Sequence, residues 1–232
     1  MKLRAEGISK RWMRNMGTAN FFEAVKPVDF ELSEGQISVL LGRSGSGKTT
    51  FLNMLSGLLL PSQGRVLADE TSLYDMQDEA LSRFRNTHFG VMPQGQAAVY
   101  SLSVLENIML PGTLYGGDGP REEALALMER LGIAELADAA PASLSGGELR
   151  RMNIARALCM HPDFLLADEP TGDLDDENTE LVLTMLREEA RRGAAVLLVT
   201  HETEAVRFGD CLYRMNAGVL TKETDQGEEN AQ

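Results

Sequence analysis

The sequence predicts an α/β fold with a largely parallel central sheet, because short apolar runs precede helix-like runs more than once. Residues 36–41 form a β-type run before the helical spacing of 48–58, and residues 163–167 do the same before 175–192. A third strand-like run occupies 195–200. Strands that are apolar on every residue need helices over both faces, which is the setting of a parallel sheet. Ligand chemistry in such a sheet belongs at the carboxyl ends of the strands.

Each remaining stretch has its own pattern. Residues 2–32 alternate more and contain Gly7, Gly17 and Pro27, so an amino-terminal antiparallel β subdomain with one exposed face is expected. From Gln94 to Ser143 the β pattern fades into ENIMLP, a Gly-rich turn at 115–120 and the amphipathic REEALALMERLG, which predicts a helical insertion. Residues 222–232 are acidic and polar, and a flexible tail is expected there. The expected organisation is one domain over 1–232, with its core in 1–93 and 160–221 and a helical subdomain in 94–159.

A chain of 232 residues that is 43% hydrophobic can bury a proper core. Lys and Arg total 22 against 35 Asp and Glu, for a net charge of −13, which opposes a sequence-independent grip on nucleic acid. No nucleic-acid partner is expected. Cys159 and Cys211 have neither CxxC spacing nor neighbouring histidines, so they read as reduced thiols of a cytosolic protein rather than zinc ligands. The amino terminus lacks the apolar core of a signal peptide, and the apolar runs fall far short of a ~20-residue span, which places the chain on the cytoplasmic side.

Three segments carry chemistry. Gly42, Arg43, Ser44, Gly45, Ser46, Gly47, Lys48 and Thr49 form a phosphate-binding loop of the Walker A type, directly after a buried strand and at the start of a helix. Its glycines let backbone N–H groups turn inward around phosphates, the new helix presents its positive end, Lys48 reaches the β and γ phosphates, and Thr49 can ligate Mg2+. The run 164–169 is an apolar strand ending in two acids: Asp168 can hold Mg2+ through its water shell, and Glu169 can face an attacking water as general base. Leu144-Ser145-Gly146-Gly147-Glu148 opens another helix-like run. It offers a second anion-binding helix start, although Ser145 with Glu148 also reads as a capping box.

In their order, GRSGSGKT, LSGGE, LLADEPTGDLD and VTHE resemble the phosphate loop, signature, acidic strand, D-loop and switch histidine of ABC ATPases, over essentially the whole chain. The resemblance implies a P-loop NTPase core in which residues 42–49 with Thr50 hold ATP and Mg2+. It implies a head-to-tail homodimer, with Ser145, Gly146 and Gly147 of one copy completing the site of the other. Gln94 matches the Q-loop that senses Mg2+ and the water, His201 the switch histidine, and Asp173, Leu174 and Asp175 the D-loop. Trp12 stands where the family stacks a tyrosine under adenine, with Phe21 and Phe22 as alternatives.

Two positions depart from the pattern. Glu148 replaces the more usual signature glutamine and adds negative charge near a phosphate site, so it is not counted as a nucleotide contact, and Pro93 stiffens the approach to Gln94. The intact Asp168, Glu169 and His201 imply hydrolysis. SGLLLPSQGRV, LSVLENIMLP and ADEPTGDLD resemble the subgroup serving lipoprotein release, macrolide or peptide export, and cell-division membrane complexes. That implies a separate membrane permease as partner and a peripheral place on the inner face of the cell membrane. A soluble ABC ATPase of DNA repair, translation or cofactor assembly would bring a coiled-coil insertion, a tandem domain or a basic face. A binding module without turnover would not need Glu169.

Overall fold

The structure, a computed structural model, describes residues 1–13, 21–95, 97–172 and 174–223. Strands β1 (Leu3–Met13) and β2 (Phe21–Leu32) pair antiparallel, and β3 (Ile37–Leu41) leads into helix α1 (Lys48–Leu55). Strands β4 (Gln63–Ala68) and β5 (Thr71–Ser72) precede helix α2 (Asp78–His88) and strand β6 (Phe89–Met92). Among the described residues only helices and turns follow until the core resumes: α3 (Val104–Thr113), α4 (Arg121–Arg130) and α5 (Gly146–Leu158). Then come β7 (Phe164–Asp168), α6 (Asp176–Arg191), β8 (Ala195–Thr200), β9 (Cys211–Asn216) and β10 (Val219–Glu223).

The strands build two sheets. An antiparallel sheet runs β2-β1-β4-β5, and the central sheet runs β10-β9-β3-β8-β7-β6. The central sheet is parallel from β9 to β6, with β10 added antiparallel at its edge. Every residue of β3, β7 and β8 is buried. Alternation along these strands sends Ile37, Val39, Leu165, Ala167, Val196 and Leu198 to a core shared with α3 to α6, and Leu40, Phe164, Leu166, Leu197 and Val199 to one shared with α1 and the antiparallel sheet. Two-sided burial explains why these segments read as continuous apolar runs.

Register then aligns one edge of the sheet. Leu41 lies beside Thr200, Val199 beside Asp168, and Ala167 beside Met92. The four strands therefore end together, and the residues that follow them emerge on one rim.

Some segments differ from the expectation. Residues 63–72 extend the antiparallel sheet, and α2 precedes β6; the first half of β4 is exposed, and α2 sets only Leu81 and Phe84 half-buried against the core. Helix α1 stops at Leu55, because Gly57 turns into a left-handed conformation at φ +72°. Lys222 and Glu223, assigned above to the flexible tail, belong to β10, opposite Tyr213 and Leu212. An ion pair from Arg214 to Glu223 at 2.5 Å closes that hairpin, so these charges face solvent from a paired strand.

Candidate nucleotide site

The loop from Gly42 to Gly47 is pressed against its surroundings. A Cβ on Gly42 would lie 2.5 Å from the Met215 carbonyl oxygen, and one on Gly47 2.3 Å from that of Ala24. Gly47 also has φ +109°, so both close approach and backbone conformation demand glycine. No side chain caps α1, which leaves the first N–H groups of the helix as donors at the loop. Buried Lys48 donates from Nζ to the carbonyls of Gly42 at 2.7 Å and Arg43 at 3.2 Å. The buried Ser46 hydroxyl has no hydrogen-bond partner among the described residues.

The acidic strand meets this loop directly. Thr49 Oγ1 donates to Asp168 Oδ2 at 2.6 Å, so the two oxygens expected to serve a cation lie side by side. Burial pushes the Asp168 carboxyl above its ordinary range, helped by the neighbouring Glu169 charge and opposed by the Thr49 hydrogen bond and the Lys48 charge.

Glu169 follows in an unusual backbone state, with φ +51°, while its N–H still donates to Val199 at 2.7 Å. Its carboxylate is held on both sides: Gln94 Nε2 donates to Oε2 at 3.0 Å, and His201 Nδ1 lies 3.1 Å from Oε1. Gln94 follows β6, Glu169 follows β7 and His201 follows β8, so the aligned strand ends bring the trio together. A further link was not foreseen from the sequence: Thr171 Oγ1 donates to Glu202 Oε2 at 2.8 Å, tying the turn after the acids to the residue after His201. The threonine and acid stand in unremarkable polar turns, and only the fold places them together.

Trp12 and Phe22 are directly opposed across β1 and β2. Both line a cavity of about 270 Å³ together with Ser44, Gly45, Gly47, Lys48, Thr49, Thr50, Gln94 and Glu169. The Lys10 ammonium lies 4.6 Å from the Trp12 ring. Phe21, Gly42, Arg43, Ser46, Asp168 and His201 do not line this cavity. Neither do Ser145, Gly146 and Gly147, which sit at the start of α5, where Ser145 and Glu148 form a full capping box. Asp173 lies outside the described residues; the neighbouring Asp175 caps α6 by accepting from the Asn178 N–H at 2.8 Å.

The ABC transporter family profile matches residues 25–172, from β2 through the phosphate loop and the α5 start to the turn after the acidic pair. The chain belongs to the ABC transporter family. The lipoprotein-releasing system ATP-binding protein LolD of Bdellovibrio bacteriovorus is 38% identical over 223 residues, covering 93% of this chain and 98% of that one. The macrolide export ATP-binding/permease protein MacB of Shewanella sp. is 34% identical over 84% of this chain, which spans 30% of that protein. The dimeric post-hydrolysis structure of the ATP-binding cassette MJ0796 bound to ADP and Pi superposes with a TM-score of 0.87 at 29% identity, over 95% of this chain and 98% of that one. The chain is therefore an ABC ATPase with the α/β cassette fold. Among its described residues no helix is long and apolar enough to cross a membrane.

Proposed function

We propose that this ABC ATPase closes head to tail with a second copy around two Mg·ATP and uses the cycle to drive a separate membrane permease. The observation that carries the catalytic part is the Glu169 carboxylate, held by Gln94 and His201 and lining the phosphate-loop cavity. Trp12 stacks on the adenine with Phe22 beside it, and Ser44, Gly45 and residues 47–50, which line the cavity, face the triphosphate, with the N–H groups of the loop and helix start as donors. Lys48 exchanges its loop carbonyls for the β and γ phosphates. The Thr49 and Asp168 oxygens, 2.6 Å apart with Asp168 buried, fit a hard cation that takes oxygen ligands, and Gln94 lines the same cavity as Thr49. Mg2+ bound there supplies charge neutralisation on the β and γ phosphates.

Glu169 takes a proton from the water as the water oxygen attacks the γ-phosphorus and the bond to the β-phosphate oxygen breaks, leaving ADP and inorganic phosphate. Gln94 and His201 hold its two carboxylate oxygens, so the base meets the water in one orientation. Ser145, Gly146 and Gly147 do not reach the cavity of their own chain, which supports the reading that a second copy supplies them. The MJ0796 structure is dimeric, which supports the pairing of two cassettes, and Asp173 matches the D-loop in sequence.

MacB is named as an ATP-binding/permease protein and LolD, matched over 98% of its length, as the ATP-binding protein of a lipoprotein-releasing system, which supports a permease partner. A groove of about 260 Å³ beside the helical region 94–159 suits that partner: it is lined by Leu58, Leu114, Tyr115 and Met160 with Arg85 and Arg156. Both arginines donate to carbonyl oxygens, Arg85 at Gly57 and Arg156 at Ala97 and Asn153, and neither pairs with a carboxylate among the described residues. An apolar segment with an acidic side chain, on the inner membrane face, complements it. Lipoprotein release or macrolide export, named for the relatives, indicates the class of work.

Glu169→Gln tests the chemistry. Turnover is expected to fall about 10²- to 10⁴-fold, while calorimetry still shows ATP binding. Undiminished turnover would remove Glu169 from the role of base.

A further inference from the structure

Helices α3 and α5 both begin with Ser-x-x-Glu, yet their caps are wired differently. In each, the serine N–H donates to a glutamate Oε2 at 2.7 Å, Ser103 to Glu106 and Ser145 to Glu148. In each, the glutamate N–H donates back to the serine hydroxyl, at 3.2 and 3.4 Å. At α5 the hydroxyl itself also donates, from Ser145 Oγ to Glu148 Oε2 at 2.7 Å; no such bond joins Ser103 to Glu106 among the described residues. A hydroxyl has one proton, so Ser145 has none left to offer. The two bonds from Ser145 hold the Glu148 carboxyl below its ordinary range. Its nearby cation, Arg151, is itself engaged with Asn178 Oδ1 at 3.1 Å.

We propose that Glu148 is an internal competitor of the γ-phosphate, holding the Ser145 hydroxyl that must turn to the ATP of a second copy when the dimer closes. The inference rests on the head-to-tail reading above and adds a device to it. Closure replaces a charge-assisted hydrogen bond inside the α5 cap with one to phosphate, and brings a carboxylate close to a triphosphate of the same sign. Both composite sites of a symmetric dimer carry this opposition, so Glu148 sets how tightly ATP seals the pair and how readily it reopens. Glu148 acts through Ser145 and is a positioning residue; it needs no contact with nucleotide.

A glutamine at 148 preserves the capping box, which accepts Glu or Gln, and removes only the charge. The experiment uses the full chain with Glu169→Gln, which retains ATP, and measures the Mg·ATP-dependent dimer by sedimentation equilibrium with and without Glu148→Gln. Glu148→Gln is expected to lower the dimer Kd on the order of tenfold at ~0.05 M salt, with the difference shrinking to about twofold at ~0.5 M. Glu148→Ala, which removes carboxylate and cap together, must also tighten the dimer, and melting curves of both variants separate this from a change in fold stability. An unchanged Kd at low salt, or a gain indifferent to salt, overturns the proposal. Failure of the Glu169→Gln chain to dimerise with ATP in any of these forms contradicts the head-to-tail reading itself, and the proposal with it.

Discussion

Asp168 shows how function is set against stability at one residue. It is buried at a strand end, its carboxyl raised chiefly by loss of solvent. An acid whose folded pKa lies above its unfolded value stabilises the fold below the unfolded value and loses that contribution as pH rises through the folded one. Above the folded value the ionised carboxylate is therefore a local cost to the fold. Asp168→Asn keeps an oxygen to accept from Thr49 and removes the charge. It is expected to raise the melting temperature by about 2–4 °C at neutral pH, less as the pH falls, while abolishing Mg2+-dependent turnover. A lower melting temperature at pH 7 would show that the charge supports the fold. The phosphate loop and the acidic pair were legible because each is a local string whose spacing carries the chemistry. The left-handed turn at Glu169 and the bond from Thr171 to Glu202 were not, since they depend on which strands lie side by side.

At the scale of elements, the central strands do two things: they fill both cores and they set the rim. Leu197 is fully buried in β8, between β3 and β7, and faces the core shared with α1. Leu197→Ala should cost about 3 kcal/mol in chemical denaturation, whereas Val219→Ala on the exposed edge strand β10 should change stability by less than about 0.5 kcal/mol. Similar losses at both positions would contradict the buried-sheet account. Strands of this kind announce themselves by composition alone. By contrast, β4 begins with exposed residues and α2 turns only Leu81 and Phe84 to the core, so each offers a short apolar signal among polar residues. The end of β10 was hidden for a related reason: Lys222 and Glu223 look like tail residues, and only pairing with β9 makes them a strand.

The whole molecule has a phosphate loop, a hydrogen-bonded trio of Gln94, Glu169 and His201, and an α5 start that lies off the phosphate-loop cavity. On the proposed function these three make half of a site. The order of motifs in the sequence already pointed to the cassette family, and the alignment of strand ends explains how distant motifs share one cavity. What the sequence could not supply was the wiring of Ser145 to Glu148, because a capping box and a phosphate contact use the same residues. The central claim, that ATP joins two copies, is tested most directly by sedimentation of the Glu169→Gln chain with Mg·ATP. The account predicts a dimer carrying two ATP, dissolving to monomers when nucleotide is removed. A monomer that remains monomeric with ATP bound would contradict it.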